Sequence, residues 1–161
     1  MATIYYFAYG SNMNHKQMKE RCKSAKFLCR VYLENYDFVY AGYSRSRKGA
    51  VANIVPKEKS VVWGGLWEID KKDIQQLDRC EGHPVFYKRK EVIVKDDNNK
   101  EYCAIVYLRE PQKLNNPSDE YRKTVIEGAN DCGLPKEYIE KKLMGRWNGK
   151  GNTNNKRNNW K

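Results

Sequence analysis

The chain has 161 residues, of which 40% are hydrophobic, with twelve tyrosines and four tryptophans among its aromatic residues. This is the size of one ordinary domain that buries its own core, and it excludes both a disordered protein and a miniature fold that needs disulfide or metal staples. The formal charge of +11 attracts anions and allows nonspecific nucleic-acid contact; the basic residues are spread along the chain, with one dense patch at Lys88, Arg89 and Lys90, and read most simply as a solvated surface.

No run of eighteen apolar residues occurs, so no membrane helix and no membrane partner are expected. The segment Met1 to Asn12 has no basic n-region, and its apolar run leads straight into polar residues. It reads as a first strand and not as a secretory signal, which makes a cytoplasmic protein the expectation. The five cysteines, Cys22, Cys29, Cys80, Cys103 and Cys132, are odd in number and widely spaced, with no CxxC pair. With only two histidines beside them they offer no zinc site, and they fit reduced thiols. No metal and no cofactor is expected. Cys80 and His83 are close enough in sequence to pose a thiol nucleophile with its base, although closeness in sequence is not a hydrogen bond.

Taken in chain order, Thr3 to Ala8 is apolar and aromatic and predicts a buried strand that runs into a tight loop at Gly10-Ser11-Asn12. Asn14 to Cys22 suits one or two helical turns, with Asn14 as cap. Lys26 to Glu34 and Asp37 to Gly42 read as two strands with a turn at Asn35, and Ala50 to Pro56 as a third short apolar run. Val61 to Ile69 is a strand with Gly64 and Gly65 inside it, and an interior glycine marks a bulge or a close backbone approach. Asp70 is a good N-cap, and Ile74, Leu77 and Asp78 predict a helix over Lys71 to Cys80 that ends near Gly82 and Pro84. Phe86 to Lys95 alternates, Asp97-Asn98-Asn99 turns, and Glu101 to Leu108 returns, so this pair is a hairpin. Ser118 caps a helix with the apolar stripe Tyr121, Val125, Ile126 and Ala129, which Gly133 stops. Pro135 begins another, with Tyr138, Ile139, Leu143 and Met144 facing inward. Beyond a single domain over 1–147, Asn148 to Lys161 is low in complexity and expected to be a disordered tail. There is no internal repeat and no linker. The order of elements predicts an α+β domain with a mixed or barrel-like β-sheet and helices packed outside it.

Two segments carry chemistry. In Tyr6-Phe7-Ala8-Tyr9-Gly10-Ser11-Asn12-Met13, Gly10 allows a ligand to approach the backbone closely, and successive N–H groups in such a turn form an anion-binding nest. By itself the segment is equally well a plain strand-to-loop turn. In Leu77-Asp78-Arg79-Cys80-Glu81-Gly82, Glu81 meets the negative end of a helix dipole, which favours its neutral form. An apolar pocket would raise its pKa further, and those are the conditions of a general base near neutral pH. An ordinary surface glutamate fits the same local pattern. Tyr87-Lys88-Arg89, and then Pro117-Ser118, Tyr121, Ile126, Gly128-Ala129, Gly133-Leu134-Pro135 and Tyr138, complete the series, although Tyr121 and Tyr138 suit a helix core as well.

In this order the segments resemble the γ-glutamylcyclotransferase family, within the wider group of AIG2-like and butirosin-biosynthesis cyclotransferases. The resemblance runs from about Tyr5 to Met144. It is carried by Tyr9-Gly10-Ser11-Asn12, by Glu81-Gly82, and by Gly128-Ala129 followed by Gly133-Leu134-Pro135. It implies a barrel-like sheet with flanking helices and a loop, Tyr6 to Ser11 with Asn12 after it, that binds a γ-glutamyl group through backbone N–H groups. It implies that Glu81 is the catalytic acid and base, with Tyr121 and Tyr87 lining the site. The implied reaction releases 5-oxoproline from a γ-glutamyl amino acid or a γ-glutamylamine, without a cofactor. The leaving group stays open, although the Ser11-Asn12-Met13 form of the loop points away from the glutathione-specific branch. Two other readings compete. One is a catalytically silent or accessory member of the fold that binds an anionic ligand or nucleic acid through its basic surface. The other is a cysteine hydrolase centred on Cys80 and His83. The oligomeric state is open, and a homodimer is allowed.

Overall fold

Two long strands make most of the sheet. In the computed structural model, which describes residues 2–148, β2 runs over Lys26–Ser44 and β3 over Gly49–Asp70; the shorter β1 (Thr3–Ala8), β4 (Lys88–Lys95) and β5 (Glu101–Leu108) complete a barrel closed in the order β1-β3-β2-β4-β5. β1 lies parallel to β5, and the other pairings are antiparallel. The sheet is therefore mixed and barrel-like, and the fold is α+β, as the order of elements predicts.

The four short strands expected between Lys26 and Ile69 are instead the two arms of one hairpin. The pairing slips between Glu34–Val61 and Tyr36–Pro56, and Asn35 and Lys59 both take a φ of 66° there. The Asn35 side-chain carbonyl accepts the Lys59 N–H at 3.1 Å. Asparagine tolerates the left-handed conformation, and its side chain satisfies a backbone group that the ladder has lost, so the position bulges and does not turn. Gly64 explains the interior glycines of β3: a Cβ there would run into the carbonyl of Ala8 on the neighbouring strand.

The core, packed on both faces of the barrel wall, includes Phe7, Val31, Val62, Leu66, Trp67, Ile69, Val94 and Val106, each at most 1% exposed, and Trp67 faces out against His15 of the helix that follows β1. Burying each such side chain contributes about 1.5–3 kcal/mol. Helices close the outside. α1 (His15–Arg21) follows a single 3-10 turn at Ser11–Met13 and is capped as expected, with the Asn14 side chain accepting the Gln17 N–H. α2 (Ile74–Glu81) is preceded by a 3-10 turn at Lys71–Asp73, so the helix starts later than predicted and Asp70 makes no side-chain cap bond. It ends at Gly82, whose φ of 69° is left-handed. α3 (Asp119–Asp131) is capped by Ser118, which accepts the Tyr121 N–H at 3.0 Å. α4 (Lys136–Tyr138) continues into a π-helical turn over Ile139–Leu143. Met144, expected to face inward, is 50% exposed. Phe86 and Tyr87, expected at the start of the fourth strand, precede it. Of the tail expected over Asn148 to Lys161, all but its first residue lies outside the described residues. No described helix is long and apolar enough to cross a membrane.

Candidate active site

The mouth of a cavity of about 280 Å³ is framed by the end of β1, the Ser11–Met13 turn, α1, the turn between β2 and β3, the end of α2 and α3. Each wall has a local reason to be there. Gly10 lies where β3 crosses close by: a Cβ on it would stand 2.9 Å from the Ala52 Cβ, tighter than two carbons in van der Waals contact. Glu81 is the last residue of α2, and the left-handed Gly82 turns the chain away so that the carboxylate points into the cavity. α2 itself is tied down through Asp78, which accepts the Tyr107 hydroxyl at 2.5 Å and Arg89 Nη1 at 2.6 Å.

Asn12 is the hub of the polar network. It is 3% exposed, and its Nδ2 donates at 3.0 Å both to the Tyr6 hydroxyl and to Glu81 Oε2. Its Oδ1 accepts Gln17 Nε2 at 2.9 Å and Arg21 Nη1 at 3.1 Å. Arg21 Nη1 also reaches Glu81 Oε2 at 3.5 Å, an ion pair in which the glutamate side chain is 13% exposed. Burial pushes the Glu81 carboxyl above the ordinary carboxylate range, and Arg21, the Asn12 hydrogen bond and Arg47 pull it part of the way back. Burial raises the phenols of Tyr6, Tyr9, Tyr87 and Tyr121 as well, so they remain neutral hydroxyls. Tyr121 accepts the Ala52 N–H at 3.1 Å, and Tyr87 donates to the Ala52 carbonyl at 2.5 Å. One residue of β3, Ala52, is thereby held on both its backbone polar groups by two aromatic hydroxyls.

Of the residues singled out from sequence, Tyr6, Tyr9, Gly10, Ser11, Asn12, Glu81, Tyr87 and Tyr121 come together on this cavity. Phe7 and Ala8 do not line it; they are 0% and 1% exposed, in the barrel wall. Sequence reasoning missed Gln17, Arg21 and Arg47, which complete the network. Gln17 and Arg21 stand four apart and so share one face of α1, a signal that could have paired them; Arg47, in a Ser-, Arg- and Lys-rich turn, has no comparable local signal. Cys80 lines the cavity, yet His83 is not its base: His83 Nδ1 accepts the Arg89 N–H at 3.1 Å. Among the described residues no group of three or more His, Cys, Asp or Glu side chains could hold a metal ion.

Comparisons with known proteins bear on the family and the fold. The AIG2-like family matches residues 61–142. Over 144 residues the chain is 33% identical to a γ-glutamylcyclotransferase of Mus musculus and to one of Homo sapiens, and each alignment covers 86% of this chain and 77% of the relative. A solved γ-glutamyl cyclotransferase superposes with a TM-score of 0.85 at 30% identity, covering 94% of this chain and 93% of its own. With this breadth of match, and with a buried glutamate facing a glycine loop across one cavity, the chain belongs to the γ-glutamylcyclotransferase family.

Proposed function

We propose that the protein is a γ-glutamylcyclotransferase in which Glu81 is general base and then general acid. The observation that carries the reading is the state of Glu81: a carboxylate buried at the cavity, held by Asn12 and Arg21, with its proton affinity raised by burial. A carboxyl so tuned takes a proton from an ammonium and returns it to an amine near neutral pH.

The substrate is a γ-glutamyl amino acid or γ-glutamylamine. Glu81 takes a proton from the α-ammonium. The freed nitrogen attacks the γ-carbonyl carbon of the same glutamyl unit, and a five-membered ring forms with a tetrahedral oxyanion. Holding the substrate folded turns a slow bimolecular attack into a proximity-driven one. Backbone N–H groups of the Gly10–Ser11 loop donate to the oxyanion, each contributing about 3 kcal/mol. The C–N bond to the leaving portion then breaks as protonated Glu81 donates to that nitrogen. The ring nitrogen then gives up its second proton to the freed Glu81 carboxylate, which passes it to the departing amine. The products are 5-oxoproline and an ammonium, and the glutamate ends as it began, so the cycle needs no cofactor. In this reading the enzyme works in the cytoplasm, where thiols stay reduced.

The test is release of 5-oxoproline from γ-glutamyl dipeptides, glutathione and γ-glutamyl-ε-lysine, with the Glu81→Gln protein alongside. Glutamine keeps the size and the acceptor oxygen but cannot carry the proton. Release that vanishes in Glu81→Gln is expected; near-normal turnover by that variant would remove the glutamate from the mechanism.

A further inference from the structure

A second guanidinium faces the cavity with no carboxylate bonded to it among the described residues. Arg47 comes from the turn between β2 and β3 and is half-buried. Its Nη2 donates to Gln17 Oε1 at 2.9 Å and to Ser11 Oγ at 3.4 Å, and the guanidinium lies over the Tyr121 ring, 5.0 Å from its centroid. All three neighbours are neutral. Among the described residues no carboxylate pairs with it, and its Nε and Nη1 hydrogens have no protein acceptor. Arg21 differs, because Glu81 takes up its charge. Across the lining, three guanidinium groups (Arg21, Arg47 and Arg79) stand against the single carboxylate of Glu81. An arginine stacked on an aromatic face and held by neutral acceptors is preorganised, with donors left over for a planar anion.

The position of Arg47 narrows which anion. Ring closure requires the glutamyl unit to fold against Glu81, whose side chain is 13% exposed, so the leaving portion extends from the γ-carbonyl toward the rim, where the β2–β3 turn presents the exposed Ser46. Arg47 touches Ser11, a residue of the loop assigned above to the γ-carbonyl oxygen, and is therefore on that side of the substrate. A leaving amino acid carries a carboxylate one carbon from the departing nitrogen, and a simple leaving amine carries none. We propose that Arg47 is a specificity-determining residue that binds the carboxylate of the leaving portion and makes γ-glutamyl amino acids better substrates than γ-glutamylamines. The assignment rests on the cyclotransferase reading for its orientation.

Two compounds isolate the carboxylate: γ-glutamyl-alanine, and γ-glutamyl-ethylamine, which is the same skeleton without it. The wild type is expected to favour γ-glutamyl-alanine. Because Arg47 also acts on Glu81, the readout is the ratio between the two compounds: Arg47→Gln should lose roughly tenfold or more in kcat/KM on γ-glutamyl-alanine relative to γ-glutamyl-ethylamine, through KM, as expected for a charge-assisted hydrogen bond. Arg47→Lys should fall between, since it keeps the charge and loses the fork. An equal loss on both compounds, or no loss on either, overturns the proposal. Calorimetric binding of the same compounds to Glu81→Gln and to Glu81→Gln/Arg47→Gln separates this idea from the one beneath it. If the wild type releases no 5-oxoproline, the cyclotransferase reading fails, while binding still decides whether Arg47 selects the carboxylate: a drop confined to γ-glutamyl-alanine supports it, and equal binding of the two compounds refutes it.

Discussion

Asn12→Asp changes charge at one atom and hardly changes shape. The Nδ2 that now donates to Glu81 Oε2 and to the Tyr6 hydroxyl, both at 3.0 Å, becomes an oxygen, so two carboxyl groups share one buried corner. Two unit charges about 4 Å apart repel by ~4 kcal/mol at an effective dielectric of 20. Arg21, bonded to the same two side chains at 3.1 and 3.5 Å, offsets part of that repulsion, and the Tyr6 hydroxyl is free to turn from accepting to donating. What is left still favours a single proton held between the carboxyls, because like charges disfavour the second ionisation. The free-enzyme pH profile of kcat/KM should therefore keep its bell shape while its acid limb moves upward by ~1 pH unit or more. The assay is 5-oxoproline release across the pH range for wild type and variant, with melting curves to show that the fold is retained. An acid limb at the wild-type position in a folded Asn12→Asp protein would mean that Glu81 is not the titrating base, or that Asn12 does not touch it in solution.

Three further outcomes follow from the same geometry. The Glu81 proton affinity is higher in the fold than its ordinary value of 4.5, so ionised Glu81 weakens the fold above the raised pKa and the deficit is absent below the ordinary one; Glu81→Gln should melt above wild type at alkaline pH with a gap that closes as pH falls toward 4.5, and calorimetry showing a pH-independent gap would count against it. Tyr107→Phe removes one of the two bonds on Asp78 and leaves Arg89 in place; denaturant melts should show a loss of ~1–2 kcal/mol, with kcat reduced more than KM is raised because α2 carries Glu81, and unchanged stability would show that Asp78 does not anchor the helix. Cys80→Ser should keep near wild-type turnover, since His83 Nδ1 is bonded to the Arg89 N–H; a folded but inactive variant would restore the cysteine-hydrolase reading.

What could be read from sequence was what local chemistry decides. The Asn14 and Ser118 caps, the Asp97-Asn98-Asn99 turn and the left-handed end of α2 at Gly82 all depend on residues within a few positions, and they stand where expected. The failures share the opposite property. Asn35 has the same local preference in a turn as in a bulge, and the choice is made by Lys59, 24 residues away, which donates to it. Asp70 looks like a cap, yet the chain enters a 3-10 turn there and the Asp70 N–H donates to Ser24 Oγ across the molecule at 3.1 Å. Met144 falls on the apolar stripe of a regular helix, but its N–H bonds to the Ile139 carbonyl five residues back. That wider π-helical turn shifts the phase of the stripe and carries Met144 into solvent.

The candidate site divides along the same line. Gly10 and Glu81 were legible because one is a backbone requirement and the other sits at a helix end, and both arguments need only neighbouring residues. The reason first available for Glu81, the helix dipole, is not the largest. Burial leads, and it arises from a barrel rim assembled from β1, the β2–β3 turn and α3, none of which is near Glu81 in sequence. The groups that oppose burial, Asn12, Arg21 and Arg47, come from equally distant segments. A base for this chemistry has to be ionised often enough to accept a proton and basic enough to hold it until the leaving nitrogen is ready. Burial favours the protonated carboxyl, and Arg21 favours the ionised one. In the proposed mechanism the opposition between them sets the working range, and Asn12, bonded to both Glu81 and Arg21, is the residue through which that balance is most directly changed.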